Sequence, residues 1–139
     1  MTTETRYRDP WLSPRLKLSA LWISMLFVFV YVDLFSLYRA DVRKDLDAGR
    51  LGDFDVGQGF LVGVTAYIAI PSVLLFLTLV LPVRIARLAN IVVPGVYLVT
   101  VVVSAFDDWV YFVLGSVIEA VLLAAIAYLA WTWPREPVL

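Results

Sequence analysis

The sequence predicts an all-α fold: a polytopic membrane protein in which four transmembrane helices form an up-down bundle. Of its 139 residues, 62% are hydrophobic, well above the roughly 45–50% usual for soluble domains. A helix that crosses the hydrocarbon core needs about 20 apolar residues, and the chain contains four such runs. Charged residues make up only 17% and separate these runs. We therefore expect residues 1–139 to form a single membrane domain with lipid as its solvent.

The four predicted spans cover residues 18–38, 57–81, 84–106 and 109–133. An N-terminal tail, residues 1–13, precedes the first span. We expect this span to be retained, because it is too long for a signal peptide and lacks a small-residue cleavage site. Ser13 and Pro14 are typical of an N-cap and a first helical residue. The extracytoplasmic loop, residues 39–56, is predicted to hold a short juxtamembrane helix over residues 40–48.

Turn and capping signals mark the ends of several helices. Gly49 can end the juxtamembrane helix in a left-handed conformation. Asp53 and Asp55 precede the second span, and Asp107 and Asp108 precede the fourth. We expect their carboxylates to accept hydrogen bonds from the first free amides of those two helices.

The distribution of Lys and Arg predicts the orientation. If the N-terminus lies inside, basic residues on that side are Arg6, Arg8, Arg15, Lys17, Arg84, Arg87 and Arg135. The other side holds Arg39, Arg43, Lys44 and Arg50. Because basic residues are retained in the cytoplasm, both termini are predicted to be cytoplasmic. Arg84 and Arg87 are then expected to contact lipid headgroups.

Composition argues against several classes of function. A net charge of −1 does not favour a nucleic-acid partner, which normally meets a basic surface. The chain has no cysteine and no histidine, which removes disulfides and the commonest metal and haem ligands. We expect no metal, no cofactor and no catalytic residue. An enzyme is not expected either, because Asp33 and Glu119 are the only groups within the spans suited to acid–base work.

Two acidic residues are predicted to lie inside the membrane, where an ionisable group is costly and is a candidate functional residue. Glu119 lies about ten residues into the fourth span, about 15 Å deep. No basic residue shares that depth, so we expect this carboxyl to be protonated and hydrogen-bonded. Asp33 lies about 8 Å from the outer end of the first span.

Neighbouring polar and aromatic residues complete a predicted ligand- or proton-binding cluster in the outer half of the bundle. Its members are Asp33, Tyr67, Tyr97, Ser116 and Glu119, with Gln58 and Thr100 nearer the mouth. The two tyrosine hydroxyls are the expected partners of Glu119. Helical spacing also places Trp22, Leu26, Phe29 and Ser36 on the face of Asp33, which should point into the bundle.

A structural interpretation of the same residues stays open. Polar side chains within membranes often only hold helices together. Gly59 and Gly63 form a G-x-x-x-G pattern, for which packing inside the bundle is favoured over dimerisation. Pro71 and Pro94 lie within spans, and each frees the carbonyl one turn earlier; for Pro94 this is the carbonyl of Asn90.

Short segments of the chain resemble a family of small four-helix bacterial membrane proteins of unknown function, with a layout similar to that of the DoxX-like proteins. The segments are Asp33-Leu34-Phe35-Ser36, Gln58-Gly59-Phe60-Leu61-Val62-Gly63, Arg87-Leu88-Ala89-Asn90-Ile91 and Ser116-Val117-Ile118-Glu119. The resemblance implies a multi-pass protein of the bacterial plasma (inner) membrane and no established activity.

Three functional hypotheses follow. The first is binding of a small apolar or amphipathic ligand, a lipid or quinone, in an outward-facing cavity lined by Glu119 and Asp33. The second is a proton-coupled transporter of the small multidrug type, although the first helix lacks the glutamate of such transporters. The third is a structural or assembly subunit of a membrane complex. Partners would be the bilayer, the ligand, and a second copy or another membrane protein.

Overall fold

The structure is a computed structural model that describes Tyr7 and residues 9–136. It contains five helices, α1 (Pro14–Ser36), α2 (Ala40–Asp47), α3 (Gln58–Val80), α4 (Val83–Ser104) and α5 (Val110–Trp131). A hairpin of two short strands, β1 (Arg50–Leu51) and β2 (Phe54–Asp55), lies between α2 and α3.

The helices α1, α3, α4 and α5 are each long and apolar enough to cross a membrane. This confirms the helical chain with four candidate spans, whose ends lie within about four residues of the predicted ones, the usual error of sequence-based boundaries. Most of the predicted tail, and with it Arg6 and Arg8 of the basic-residue count, lies outside the described residues.

Local signals set the start of α1 and the end of α2 as predicted. Ser13 is the N-cap of α1; its hydroxyl accepts from the Arg15 amide at 3.3 Å, and Pro14 is the first helical residue. Gly49 follows α2 with a φ of 76°, in the left-handed region that glycine tolerates.

The segment before α3 differs from the prediction. Asp53 lies in the turn after Gly52, whose φ is 56°, and Asp55 pairs with Arg50 across the two strands. Gly57 is the N-cap of α3 and has no side-chain hydrogen bond. The prediction that Asp53 and Asp55 cap this helix is wrong, because strand pairing holds them before the helix begins.

The turn before α5 also uses its aspartates differently. Asp107 has a φ of 60°, and the Asp108 carboxylate accepts from the amide of Trp109 at 2.6 Å. Trp109 is itself the N-cap of α5. Asp108 therefore meets the amide just before the helix instead of the first amides within it.

The helices form a ring in which α1 packs on α5 and α3, α4 packs mainly on α5, and α3 and α4 touch least. The buried core consists of Leu18, Trp22, Met25, Leu74, Tyr97, Val101, Leu123, Ile126 and Ala130. We call the end of the bundle that carries α2 and the two strands the outer end. There, every residue of the α3 stretch 58–66 except Phe60 is exposed. The bundle is therefore open around the outer half of α3.

Close helix packing occurs at a glycine other than the two predicted. A Cβ added at Gly59 or Gly63 would meet no atom within 4 Å, whereas one added at Gly115 would overlap the methyl groups of Val32. The expectation that Gly59 and Gly63 pack inside the bundle is wrong, because the outer half of α3 stands away from its neighbours. The close approach is between α1 and α5.

Side chains of other helices donate to three free backbone carbonyls. Pro71 has no N–H, so the Tyr67 carbonyl four residues before it loses its helical donor, and the Tyr97 hydroxyl donates to it. The carbonyls of Thr78 and Ala130 lie in the last turns of α3 and α5, where helical donors run out, and they accept from Arg15 and Arg87. The Asn90 carbonyl before Pro94 receives no such side chain within the described residues.

A buried polar chain joins α1, α4 and α3 in the inner half of the bundle. The Trp22 indole donates to the Asn90 amide oxygen at 2.7 Å, and the Asn90 amide donates to the Thr78 hydroxyl at 3.0 Å. All three side chains are fully buried. Every polar atom in this chain has a partner, so it stabilises the bundle without offering a free group to a ligand.

Candidate functional site

The two acidic residues singled out from the sequence lie together in the outer half of the bundle. Glu119 projects from the middle of α5 and is only 4% exposed. Asp33 lies on α1, three residues before the helix ends, and is exposed. Val32, next to Asp33, packs against Gly115, one turn before Glu119, where α1 and α5 come close. Phe29, one turn before Asp33, lies beside Tyr67 of α3.

Glu119 has no hydrogen-bond partner within the part of the chain that the structure describes. In that same part, no fully buried side-chain nitrogen or oxygen lacks a partner. Both carboxyl oxygens of Glu119 are therefore not fully sealed off, and each keeps a small area that a water-sized molecule can touch. The residue combines deep burial with an unpaired, reachable acidic group.

The tyrosine hydroxyls do not serve Glu119 as expected. The Tyr97 hydroxyl donates to the backbone carbonyl of Tyr67 at 2.5 Å, the carbonyl that Pro71 leaves free. Tyr67 in turn contacts the Thr100 hydroxyl at 2.5 Å, and that hydroxyl donates to the Tyr97 carbonyl at 2.8 Å. The prediction that Glu119 is bonded to these tyrosines is wrong, because backbone and threonine oxygens take both hydroxyl protons.

Aromatic rings line the same region in a row across three helices. Tyr67 and Tyr97 are stacked with centroids 4.4 Å apart, and Phe29 lies 5.9 Å from Tyr67 on the other helix. Trp22 meets the edge of Tyr97 at 6.5 Å. Phe29 and Asp33 are one turn apart on α1, so the aromatic row and the acidic pair share a wall. The predicted stripe on α1 does point into the bundle.

The remaining predicted site residues lie apart from this group. Gln58 borders a wide concavity of about 660 Å³ at the outer end of α3. Ser116, which is 4% exposed, borders a groove of about 240 Å³ between α4 and α5, together with Phe106 and Ala120. The group brought together is thus Asp33, Glu119 and Tyr67, with Tyr97 and Thr100 bonded to Tyr67. We call these five residues the outer chamber.

The two arginines expected to contact lipid headgroups, Arg84 and Arg87, lie in different surroundings. The Arg87 guanidinium donates to the carbonyls of Ala130 and Trp131 at 3.0 and 3.2 Å, so it closes the end of α5. Arg84 is exposed. Contact of these two arginines with lipid headgroups stays a prediction.

At the outer end, Arg39 links three parts of the chain. Its guanidinium donates to Asp108 and Asp41, each at 2.6 Å, and lies 4.2 Å from the centre of the Trp109 ring. Hydrogen bonding to Asp41 raises the pKa of Arg39, and the Arg39 hydrogen bond lowers the pKa of Asp41. No local sequence pattern indicates this contact, because Arg39 and Asp108 are 69 positions apart.

The chemistry available in the outer chamber is limited. Among the residues that the structure describes, no three acidic, histidine or cysteine side chains come together as a metal site would require. Two carboxyls beside aromatic rings can hold a proton or a ligand group that donates to oxygen. They supply acceptors and negative charge.

Comparison with known proteins gives one match. A family model described as "Family of unknown function (DUF6326)" matches residues 10–139. No curated protein and no solved structure gave a match. The expected family of unknown function with four span-forming helices is supported, and the likeness to the DoxX-like layout stays a prediction.

Proposed function

Because the chain belongs to the DUF6326 family, whose function is unknown, we propose from its geometry that it is a multi-pass membrane protein that binds a small amphipathic ligand in the outer chamber. The main support for this proposal is Glu119. Its carboxyl is buried and has no hydrogen-bond partner among the described residues, yet its oxygens are reachable.

The apolar surface of the bundle supports placement in a membrane. Large apolar side chains are exposed along all four long helices, including Phe27, Phe76, Val99 and Val121. Exposing such surface to water costs about 25 cal/mol per Å², and patches of this extent mark contact with lipid or protein. Four crossings put the N-terminus, the α3–α4 turn and the C-terminus on one side. With the excess of basic residues there, we propose the bacterial plasma membrane with both termini in the cytoplasm.

This orientation can be tested directly, because the chain has no cysteine. Single variants Asp53→Cys, in the hairpin turn, and Glu136→Cys, near the C-terminus, would be treated in intact cells with a membrane-impermeant maleimide. We expect labelling of the first, and labelling of the second only after permeabilisation. The reverse pattern would place the termini outside.

The ligand proposal follows from the energetics of Glu119. An ionisable side chain deep in a membrane costs several kcal/mol unless it is paired, hydrated or neutralised. Its described neighbours supply no hydrogen bond, so a ligand is a natural partner. The surrounding Phe29, Tyr67 and Tyr97 rings suit an apolar body, and the open outer half of α3 gives it a way in. A lipid or a quinone has this combination of polar end and apolar body.

The test uses the full chain in lipid nanodiscs, with thermal stability measured against a panel of lipids and quinones. Wild type and Asp45→Asn, which removes an exposed carboxyl from α2, should be stabilised by a ligand. Glu119→Gln should lose that stabilisation. If no lipid, quinone or other amphipathic compound stabilises the wild type, the proposal is wrong.

A further inference from the structure

We propose that the polar group held in the outer chamber is a cation, an organic ammonium paired with Glu119 and Asp33 and packed against the rings of Tyr67 and Phe29. This inference rests on the proposed function and names the chemical class of the ligand at the same site.

The first argument is the charge of the chamber. Glu119 is more than nine-tenths buried and has no hydrogen-bond partner among the described residues. Asp33 follows Val32, which packs on α5 one turn before Glu119. At this end of the bundle, Arg39 is fixed by Asp41 and Asp108. The other described basic residues of the first loop lie exposed on α2 and β1: Arg43, Lys44 and Arg50. Two carboxyls without a protein cation attract a positive group and repel an anionic headgroup.

The second argument is the direction of the hydrogen bonds. The Tyr97 hydroxyl donates its hydrogen bond to the Tyr67 carbonyl. The Thr100 hydroxyl donates to the Tyr97 carbonyl, so in the contact between Thr100 and Tyr67 the Tyr67 hydroxyl must be the donor. All three hydroxyl protons are used within the protein. No hydroxyl donor remains for a ligand, and an ionised carboxyl only accepts, which favours a ligand that brings donors or positive charge over a quinone, whose carbonyls need donors.

The third argument is the aromatic wall. A cation near the face of an aromatic ring is attracted by the quadrupole of the ring, and the attraction is larger where water is excluded. Tyr67 and Phe29 lie side by side, tilted by 38°, and Phe29 is one turn from Asp33 on α1. Carboxyl groups and ring faces together complement both the charge and the apolar surface of a substituted ammonium.

The decisive experiment compares two probes of the same shape. Benzyltrimethylammonium and neopentylbenzene differ only in a charged nitrogen and a neutral carbon at the same position, so a difference in binding reports the charge. Binding to the full chain would be measured in zwitterionic lipid nanodiscs. We expect the wild type to bind the ammonium about tenfold more tightly than the hydrocarbon, the size of effect that one partly desolvated charge contact produces.

Variants assign this preference to the chamber. Glu119→Gln should abolish the preference and Asp33→Asn should reduce it, whereas Asp45→Asn on α2 should retain it with the same loss of charge. If Glu119→Gln does not fold, Glu119→Asp keeps the charge on a shorter side chain and should keep part of the preference, and Asp33→Asn still tests the pair.

Two results would overturn the inference. One is equal binding of the two probes to the wild type; the other is an equal loss of preference in Asp45→Asn and Glu119→Gln. If a lipid or quinone stabilises the chain through Glu119 while benzyltrimethylammonium does not bind, the proposed function is supported and the inference of a cationic ligand is wrong. If no compound of either panel binds, the proposed function itself fails.

Discussion

The hydroxyl of Tyr97 on α4 donates to the backbone carbonyl of Tyr67 on α3, at the place where Pro71 deprives that carbonyl of its helical donor. The bond joins the two helices that otherwise touch least. It also explains why Tyr97 does not reach Glu119. A backbone carbonyl inside an apolar bundle is costly to leave unpaired. The Tyr97 hydroxyl therefore donates to this carbonyl and not to the carboxyl of Glu119.

Replacing Tyr97 with Phe should therefore destabilise the chain. The variant keeps the ring that stacks on Tyr67 but leaves the carbonyl without a donor, which costs about 1–3 kcal/mol. Thermal or denaturant unfolding of the detergent-solubilised protein measures the change. Tyr128→Phe removes a hydroxyl from an exposed position, 67% accessible, and should have little effect.

A second variant tests the cause of that effect. Pro71→Ala restores a backbone N–H one turn after Tyr67, so Tyr97→Phe should cost less in a chain that carries Pro71→Ala than in the wild type. Purely additive effects of the two changes would show that the hydroxyl does not compensate for the proline.

Three glycines of the spans, Gly59, Gly63 and Gly115, should respond differently to alanine. At Gly115 the new Cβ would collide with Val32, and we expect a loss of about 1–3 kcal/mol, as for other overpacked sites. Gly59→Ala and Gly63→Ala place the methyl in open space and should be neutral or slightly stabilising, because alanine is the better helix former. Val32→Ala should relieve Gly115→Ala. Strong destabilisation by Gly63→Ala would show that this face packs against a second copy.

How far the sequence predicts the structure depends on how local each feature is. The four long helices follow from apolar runs, and the Ser13 cap and the Gly49 turn follow from residues next to each other. Their causes lie within a few positions, so they could be read directly. The carbonyl freed by Pro71 was equally readable, but its donor was not, since Tyr97 lies 30 positions away.

Features that depend on distant partners escaped prediction. The strand pairing of Asp55 with Arg50 removed an expected cap. The Trp22–Asn90–Thr78 chain depends on how three helices rotate against one another. Depth along the helices places Glu119, Asp33 and Tyr67 in the same half of the bundle, because the rise per residue is fixed. Depth carries no information on rotation about the helix axis. It is this rotation of α5 that places Ser116 at a different groove.

Glu119 should contribute little to stability when no ligand is present. It forms no hydrogen bond within the described residues, so Glu119→Gln removes a buried acidic group and breaks no protein contact. We expect unfolding of the ligand-free variant to be unchanged or shifted to higher temperature, as for residues retained for function at a cost in stability. Asn90→Leu is the contrasting control: it leaves the buried Trp22 indole without an acceptor and should cost about 1–3 kcal/mol. A loss of that size in Glu119→Gln would instead assign Glu119 a structural role.

The Arg39 link should weaken in acid. Its hydrogen bond lowers the pKa of Asp41 in the folded chain, so the pair stabilises the fold above the unfolded pKa of an aspartate, about 3.9. That contribution disappears as the pH falls through the lower folded value, because the carboxylate is then protonated in both states. Arg39 stays charged throughout, since its pKa is raised. The stability difference between wild type and Asp41→Asn should thus be present at pH 7, small because the carboxylate is exposed, reduced by salt, and lost once the pH is below the folded pKa of Asp41. Arg39→Gln also loses the bond to Asp108 and the contact with the Trp109 ring, and should cost about 1–2 kcal/mol at neutral pH. Unfolding followed across pH for both variants checks these expectations, and an Asp41→Asn difference that grows in acid would contradict them.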